Sequence, residues 1–257
     1  MLPILQIGPL ALPAPTLILM IGLLAGLELA EKQAERFGVK ADHIYSVTLA
    51  AVIAGLIGAR LAYVAQYPTA FLENPLELLS PRPQMLNATG GYVLALAAAL
   101  VYLWSRKLAF WPTIDAATSL FAVMAIGFGL SHLASGDAFG APAQVPWAIS
   151  LWGEMRHPSQ IYETLAALVI TALVWPGGSI SIHTLQRPGL RFWAFMALCA
   201  GSRVVLETYR GDSTILWNSF REAQVIAWVA LAFSLWQIGR RIAPSNAEDL
   251  PAGKLEQ

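Results

Sequence analysis

Seven apolar stretches, each close to the length a helix needs to cross a bilayer, constrain this chain more than any other feature. A hydrocarbon core of about 30 Å calls for roughly 20 mostly apolar residues in a helix. The stretches run Ala14–Leu29, Ile44–Tyr67, Gly91–Trp104, Thr113–Leu133, Ser159–Trp175, Leu190–Tyr209 and Ala223–Ile238. The third is short, so its helix is expected to begin earlier, and the fourth is placed to pair with it as a hairpin. Loop signals separate the stretches: Pro68, Pro81 and Pro83, Pro112, Pro142 and Pro146, then Pro176-Gly177-Gly178. Composition agrees, with 56 % hydrophobic and 12 % charged residues, about half the charge of a soluble domain. The expected fold is all-α: a polytopic integral membrane helical bundle of about seven transmembrane helices. It forms one domain over 1–243, followed by a polar, disordered tail over 244–257. No internal repeat, low-complexity tract or soluble domain interrupts the spans, and Met1–Pro9 has no Lys or Arg to make a signal-peptide n-region.

Lys and Arg in short loops set the orientation. With seven spans, ten basic residues fall on one side: Lys32, Arg36, Lys40, Arg106, Lys107, Arg187, Arg191, Arg240, Arg241 and Lys254. Four fall on the other: Arg82, Arg156, Arg210 and Arg221. The richer side is expected to be cytoplasmic, which puts the N-terminus outside and the C-terminus in the cytoplasm. Net charge is zero, so nothing points to a nucleic-acid partner. The one cysteine, Cys199, lies in an apolar run, with no second thiol for a disulfide or a metal site. It reads as a small core residue.

Charges inside apolar stretches are expensive in lipid and mark candidate sites. Arg60 follows a face of small residues, Ala51, Gly55 and Ala59, whose spacing permits close helix packing. Arg60, Tyr63 and Tyr67 share one helical face, as do Arg203, Glu207 and Arg210. Two arginines flanking a glutamate match either an anionic headgroup, whose phosphate oxygens suit a guanidinium fork, or an interhelical ion-pair network. A second polar cluster, His157-Pro158-Ser159-Gln160-Ile161-Tyr162-Glu163, opens the fifth stretch. A capped helix start explains His157, Pro158 and Ser159, but not Gln160 and Glu163 entering an apolar run. The long loop before it, from Leu133 to Arg156, carries Gly136, Asp137, Gly140, Pro142, Pro146, Trp147 and Trp152. Its tryptophans suit a headgroup-level arm as much as a plain aromatic belt. Asp115 reads as a cap or packing polar group, and Glu28–Lys32 as a pair on a solvated helix end.

These clusters, in this order, resemble the prolipoprotein diacylglyceryl transferases. His157-Pro158-Ser159-Gln160-Ile161-Tyr162-Glu163 matches the family's HPSQ-[LI]-YE segment. Ile7-Gly8-Pro9 precedes the first stretch as in the family, and Gly58-Ala59-Arg60-Leu61-Ala62-Tyr63 follows its G-G-R-[IL]-[GA]-Y pattern. Ser202-Arg203 through Glu207 to Arg210 follows its [FS]-R-x-x-x-E-x-x-R pattern. Asp115, Gly90-Gly91 and Gln224 fall where the family has the same residues. The resemblance covers nearly the whole chain and implies a multi-pass enzyme of the bacterial plasma (inner) membrane. Such an enzyme moves a diacylglyceryl group from phosphatidylglycerol to the lipobox cysteine of a prolipoprotein signal peptide. Its partners are those two substrates and the surrounding membrane lipid, with no cofactor and no metal.

By the same resemblance Arg203, Glu207 and Arg210 serve catalysis. Arg60, Tyr63, Asp137, His157, Ser159, Gln160, Tyr162 and Glu163 serve substrate binding. The chain departs from the family pattern at four places. Thr89 stands where the family has a histidine proposed as base, Gly129 where it has an arginine, His132 where it has an asparagine, and a family tyrosine early in the first stretch falls near Pro15. His132 is a candidate replacement base, since imidazole is the side chain that ordinarily titrates near neutral pH. Arg156 is a candidate replacement for the arginine. The alternatives are a member with altered or lost chemistry that binds membrane lipid or lipoproteins, and an unrelated small transporter.

Overall fold

The computed structural model describes residues 4–7, 10–80, 82–177, 187–216 and 219–243. Gly8, Pro9 and the expected tail from 244 lie outside the described residues. The chain divides into two compact units, Met1–Ser135 and Gly136–Gln257.

In the first unit, a short antiparallel hairpin of β1 (Ile4–Ile7) and β2 (Leu10–Pro13) leads into α1 (Ala14–Ala34). Pro15 sits in the first turn of α1, where a missing N–H costs no helical bond. Gly38, at φ 70°, ends the tight turn after α1 in the left-handed conformation that glycine adopts without penalty. Then follow α2 (Ala41–Gln66), the short α3 (Pro68–Glu73), α4 (Ala88–Ser105) and α5 (Phe110–Ser135). The third apolar stretch does begin early, because the Asn87 side chain caps α4 by accepting from the Gly90 N–H at 3.0 Å.

The expected hairpin of the third and fourth stretches gives way to other pairings: α4 packs chiefly along α2, and α5 chiefly along α1. Glycine is the physical reason. A Cβ at Gly58 would stand 2.6 Å from the Gly90 carbonyl, and one at Gly91 would stand 3.1 Å from the Gly55 carbonyl. Only bare backbone lets α2 and α4 approach so closely, and with lipid outside, such packing drives association. On α1, a Cβ at Gly26 would stand 2.9 Å from the Leu120 side chain of α5. Around that crossing Ala30, Ala34, Val39, Ile44, Ala116 and Leu120 form a buried cluster. Ser119 donates to Gln33 Oε1 within it at 2.7 Å, so these buried polar groups are partnered. Asp115 is buried, as a packing polar group would be.

The second unit holds α6 (Ser159–Val174), α7 (Leu190–Leu206) and α8 (Glu222–Ile242). Two small hairpins accompany them: β3 (Ile149–Leu151) with β4 (Glu154–Arg156), and β5 (Ile215–Leu216) with β6 (Phe220–Arg221). Helix α7 packs on both α6 and α8. Arg191, counted above as a loop charge, is instead buried in the first turn of α7. Its Nε donates to the Val174 carbonyl at 2.7 Å, one of the acceptors left open at the end of α6.

The chain is a helical membrane protein. Among the described residues, α1, α2, α4, α5 and α8 are long and apolar enough to cross a bilayer. The 26-residue α2 and α5 reach about 39 Å, and the 16-residue α6 about 24 Å. Helix α6 stops at Val174 because Trp175 precedes a proline and adopts extended backbone.

Candidate active site

In the second unit, the segment from His157 to Glu163 folds as two different devices. Pro158 is the residue before α6, so the helix starts at Ser159. Ser159 and Gln160, both fully buried, reach backward to the preceding loop, while Gln160 Oε1 has no hydrogen-bond partner among the described residues. Ser159 Oγ donates to the Ala138 carbonyl at 2.5 Å and Gln160 Nε2 to the Asp137 carbonyl at 2.9 Å. Ala138 needs this restraint, since its φ of 56° is unfavourable for a residue with a Cβ. His157 and Tyr162 pack with Tyr209, the His157–Tyr209 ring centroids standing 5.1 Å apart. The Tyr162 hydroxyl accepts from Trp147 Nε1 at 2.6 Å, so its own proton is available to His157 Nδ1 at 3.3 Å. Trp147 therefore has a specific partner in addition to its exposed face.

The loop from Asp137 to Ala143 is woven between the start of α6 and the end of α7. Ala141 N–H donates to Tyr209 at 2.8 Å, Gly211 N–H to Phe139 at 2.9 Å, and His157 N–H to Ala141 at 3.0 Å. Gly140 forms an isolated bridge with Arg210. A Cβ there would collide with the His157 carbonyl, its carbon only 2.8 Å away. Arg156, a candidate anion ligand from the sequence, is engaged in holding this loop. It donates to the Gly140 carbonyl at 3.2 Å and the Leu151 carbonyl at 3.3 Å, pairs with Glu154, and stacks over Phe139.

Three of the expected residues do not share one continuous helical face. Helix α7 ends at Leu206, Glu207–Tyr209 form a tighter 3-10 turn, and Arg210 is extended. Arg203 and Arg210 nevertheless converge on one oxygen. Glu163 Oε1 accepts from Arg203 Nη1 at 2.9 Å and from Arg210 Nη1 at 2.7 Å. Arg203 Nε also lies 2.9 Å from Glu207 Oε2. Its N–H is not aligned with that oxygen, which has no hydrogen bond, so the two are paired by charge alone. Glu207 is 1 % exposed, and its other oxygen accepts from Ser213 at 2.6 Å. Arg210 closes a two-pronged bond on Asp212, at 2.9 Å from Nε and 2.7 Å from Nη2.

The sequence did not single out Asp212, Ser213 or Arg221 as site residues. Arg221 Nη1 donates to the carbonyls of Glu207 and Arg210, each at 2.6 Å, and to Ser213 Oγ at 2.9 Å. It thereby fixes the turn that presents Arg210. The polar run Arg210-Gly211-Asp212-Ser213 was the available signal; for Arg221 there was none beyond its charge. Gln224 donates to the Val204 carbonyl at 3.0 Å and ties α8 to α7. A cavity of about 180 Å³ opens on this cluster, lined by Arg203, Glu207, Arg210, Asp212, Ser213, Thr214, Glu222, Ala223 and Ile226. Burial alone would lower the Arg210 pKa. The hydrogen bonds and charges of Asp212 and Glu163 outweigh it and leave the pKa above its ordinary value, so the guanidinium stays charged at any working pH.

Asp137 is exposed, and its backbone carbonyl is held by Gln160. In the first unit, Arg60 is 9 % exposed and donates through all three nitrogens to carbonyls: Leu78 at 3.0 Å, Met85 at 3.1 Å, and Glu77. It also stacks over Phe71. Tyr63 packs against Tyr67 and Phe71. His132 sits half-buried in the last turn of α5, Gly129 is buried in the same helix, and Thr89 is exposed in the first turn of α4.

Known proteins share this chain's pattern along nearly its full length. Residues 3–239 match the model of the prolipoprotein diacylglyceryl transferase family. A phosphatidylglycerol–prolipoprotein diacylglyceryl transferase of Bacillus velezensis is 28 % identical over 246 residues, covering 90 % of this chain and 88 % of the relative. One from Nostoc sp. is 26 % identical over 243 residues, with 90 % and 85 % covered. One from Clostridioides difficile is 25 % identical over 221 residues, with 84 % and 85 % covered. The chain belongs to the prolipoprotein diacylglyceryl transferase family.

Proposed function

We propose that the protein transfers a diacylglyceryl group from phosphatidylglycerol to the lipobox cysteine of prolipoproteins. It would act as a seven-span protein of the bacterial plasma membrane, with its N-terminus outside and its C-terminal tail in the cytoplasm. The observation that carries this reading is the convergence of Arg203 and Arg210 on one Glu163 oxygen beside a cavity. In the reaction a cysteine thiolate, the reactive form of that side chain, attacks the diacylglycerol carbon that carries the phosphate ester. A C–S bond forms and the C–O bond breaks. The electron pair leaves with the phosphate as glycerol phosphate, and the thiol proton goes to a base. Negative charge grows on the departing phosphate, where preorganised guanidinium groups stabilise it most. Arg203 and Arg210 take that role, Glu207 and Glu163 aim them, and His132 is the proposed base. Arg60 holds backbone carbonyls through all three nitrogens and Gln160 holds one through Nε2, with its Oε1 free of any hydrogen bond among the described residues. Of the other residues expected to bind substrate, His157 and Tyr162 pack with Tyr209, Tyr63 packs on Tyr67 and Phe71, and Ser159 and Asp137 belong to the loop anchor.

Thr89 and Gly129 favour a second reading, a member that binds the lipid and the signal peptide without turnover. Reconstitution with phosphatidylglycerol and a lipobox peptide separates the two. Thioether-linked diacylglyceryl peptide supports the transferase, whereas binding of both partners without product supports the second reading. Unchanged turnover in His132→Ala would remove the assigned base.

A further inference from the structure

Arg203 and Arg210 carry two positive charges and contact three carboxylates: Glu163, Glu207 and Asp212. As it stands the cluster offers an incoming anion no excess positive charge. The side-on fork of Arg210, Nε with Nη2, is the geometry that holds two phosphate oxygens at once. Asp212 fills it, with Oδ1 and Oδ2 at 2.9 and 2.7 Å. A phosphodiester can engage that fork only after a carboxylate leaves it.

The three carboxylates are not equally free to leave. Glu207 is 1 % exposed and held by Ser213. Glu163 bridges both arginines from the rigid first turns of α6, with a side chain 16 % exposed. Asp212 is the most exposed of the three, at 26 %, and lines the cavity. The backbone beside it is pinned by the Gly211–Phe139 bond at 2.9 Å. Rotation of its short side chain therefore vacates the fork without unfolding the loop.

Building on the transferase reading, we infer that Asp212 is a place-holding carboxylate. It occupies the phosphate fork of Arg210 in the empty site, yields it to the phosphodiester of the lipid substrate, and competes glycerol phosphate off afterwards. Asp212 then sets how tightly the site holds phosphate, and its removal strengthens binding. A residue that only supported the fold would act in the opposite direction.

The test uses the full-length protein in detergent micelles containing phosphatidylglycerol, with a lipobox peptide as acceptor. Its readouts are the KM for phosphatidylglycerol and direct binding of glycerol phosphate. In Asp212→Asn both should tighten about fivefold, the size expected for removing a partly exposed competing ion pair. Asp212→Glu should stay near wild type. Asp212→Ala gives the same reading if the Asn variant is not recovered, and melting profiles verify folding. Weaker or unchanged binding in a folded neutral variant overturns the inference while leaving the transferase reading intact. A wild type that neither turns over nor binds glycerol phosphate would remove the transferase reading and this inference with it.

Discussion

Gly140→Ala tests whether the woven loop holds the site. The new methyl carbon would overlap the His157 carbonyl, with that carbonyl carbon 2.8 Å away. Neither strand of the weave can yield cheaply. The 139–141 backbone is tied to Tyr209 and Gly211 on one side and to His157 on the other, by bonds of 2.8, 2.9 and 3.0 Å. Relief requires breaking about two of these bonds at about 1 kcal/mol each. Overpacking adds about 1–3 kcal/mol, so the expected loss is about 3–5 kcal/mol. For a chain of this size that lowers Tm by on the order of 10 °C. The displacement also moves Arg210, the bridge partner of Gly140, so product formation should fall further than stability alone accounts for. Melting in detergent, followed by activity at a temperature where both proteins are folded, reads the two effects separately. A variant that melts within a degree of wild type and keeps full turnover refutes the reasoning.

Three further substitutions probe other parts of the argument. Gly90→Val places branched carbons against Ala62 and the Gly58 carbonyl. It should separate α2 from α4, seen as loss of a disulfide engineered across that contact. Arg221→Gln removes a nitrogen that serves three acceptors and should lower kcat more than it raises the KM for phosphatidylglycerol. Arg221→Lys should recover part of kcat, and equal loss in both variants would show that the fold rather than the turn geometry is affected. Arg60→Lys cannot reach three carbonyls with one nitrogen, so backbone amides between Glu77 and Met85 should exchange with solvent faster. Unchanged exchange there would mean that Arg60 does not anchor the segment.

What the sequence made legible follows the range of the interactions concerned. Hydropathy is local, and the helices lie where apolar length places them. The small face around Gly55 announced a close contact but not its partner, because any neighbouring helix with a bare patch would satisfy it; Gly90 and Gly91, far along the chain, decide that. The Arg203–Glu207–Arg210 spacing grouped three residues that do come together, but by a different geometry. The helix ends before Arg210, and it is Glu163, 40 residues upstream of Arg203, that draws the two arginines together. Gln160 stood out because a polar group entering an apolar run looks the same whether it faces a substrate or a buried carbonyl, and the carbonyl partners of Gln160 and Ser159 lie 23 and 21 residues away. That distinction turns on Ala138, whose strained backbone requires such support. Asp212 was the hardest to see. Beside an arginine in sequence a carboxylate reads as an ordinary surface pair, and only its occupation of the guanidinium fork at the cavity wall makes it a competitor for phosphate.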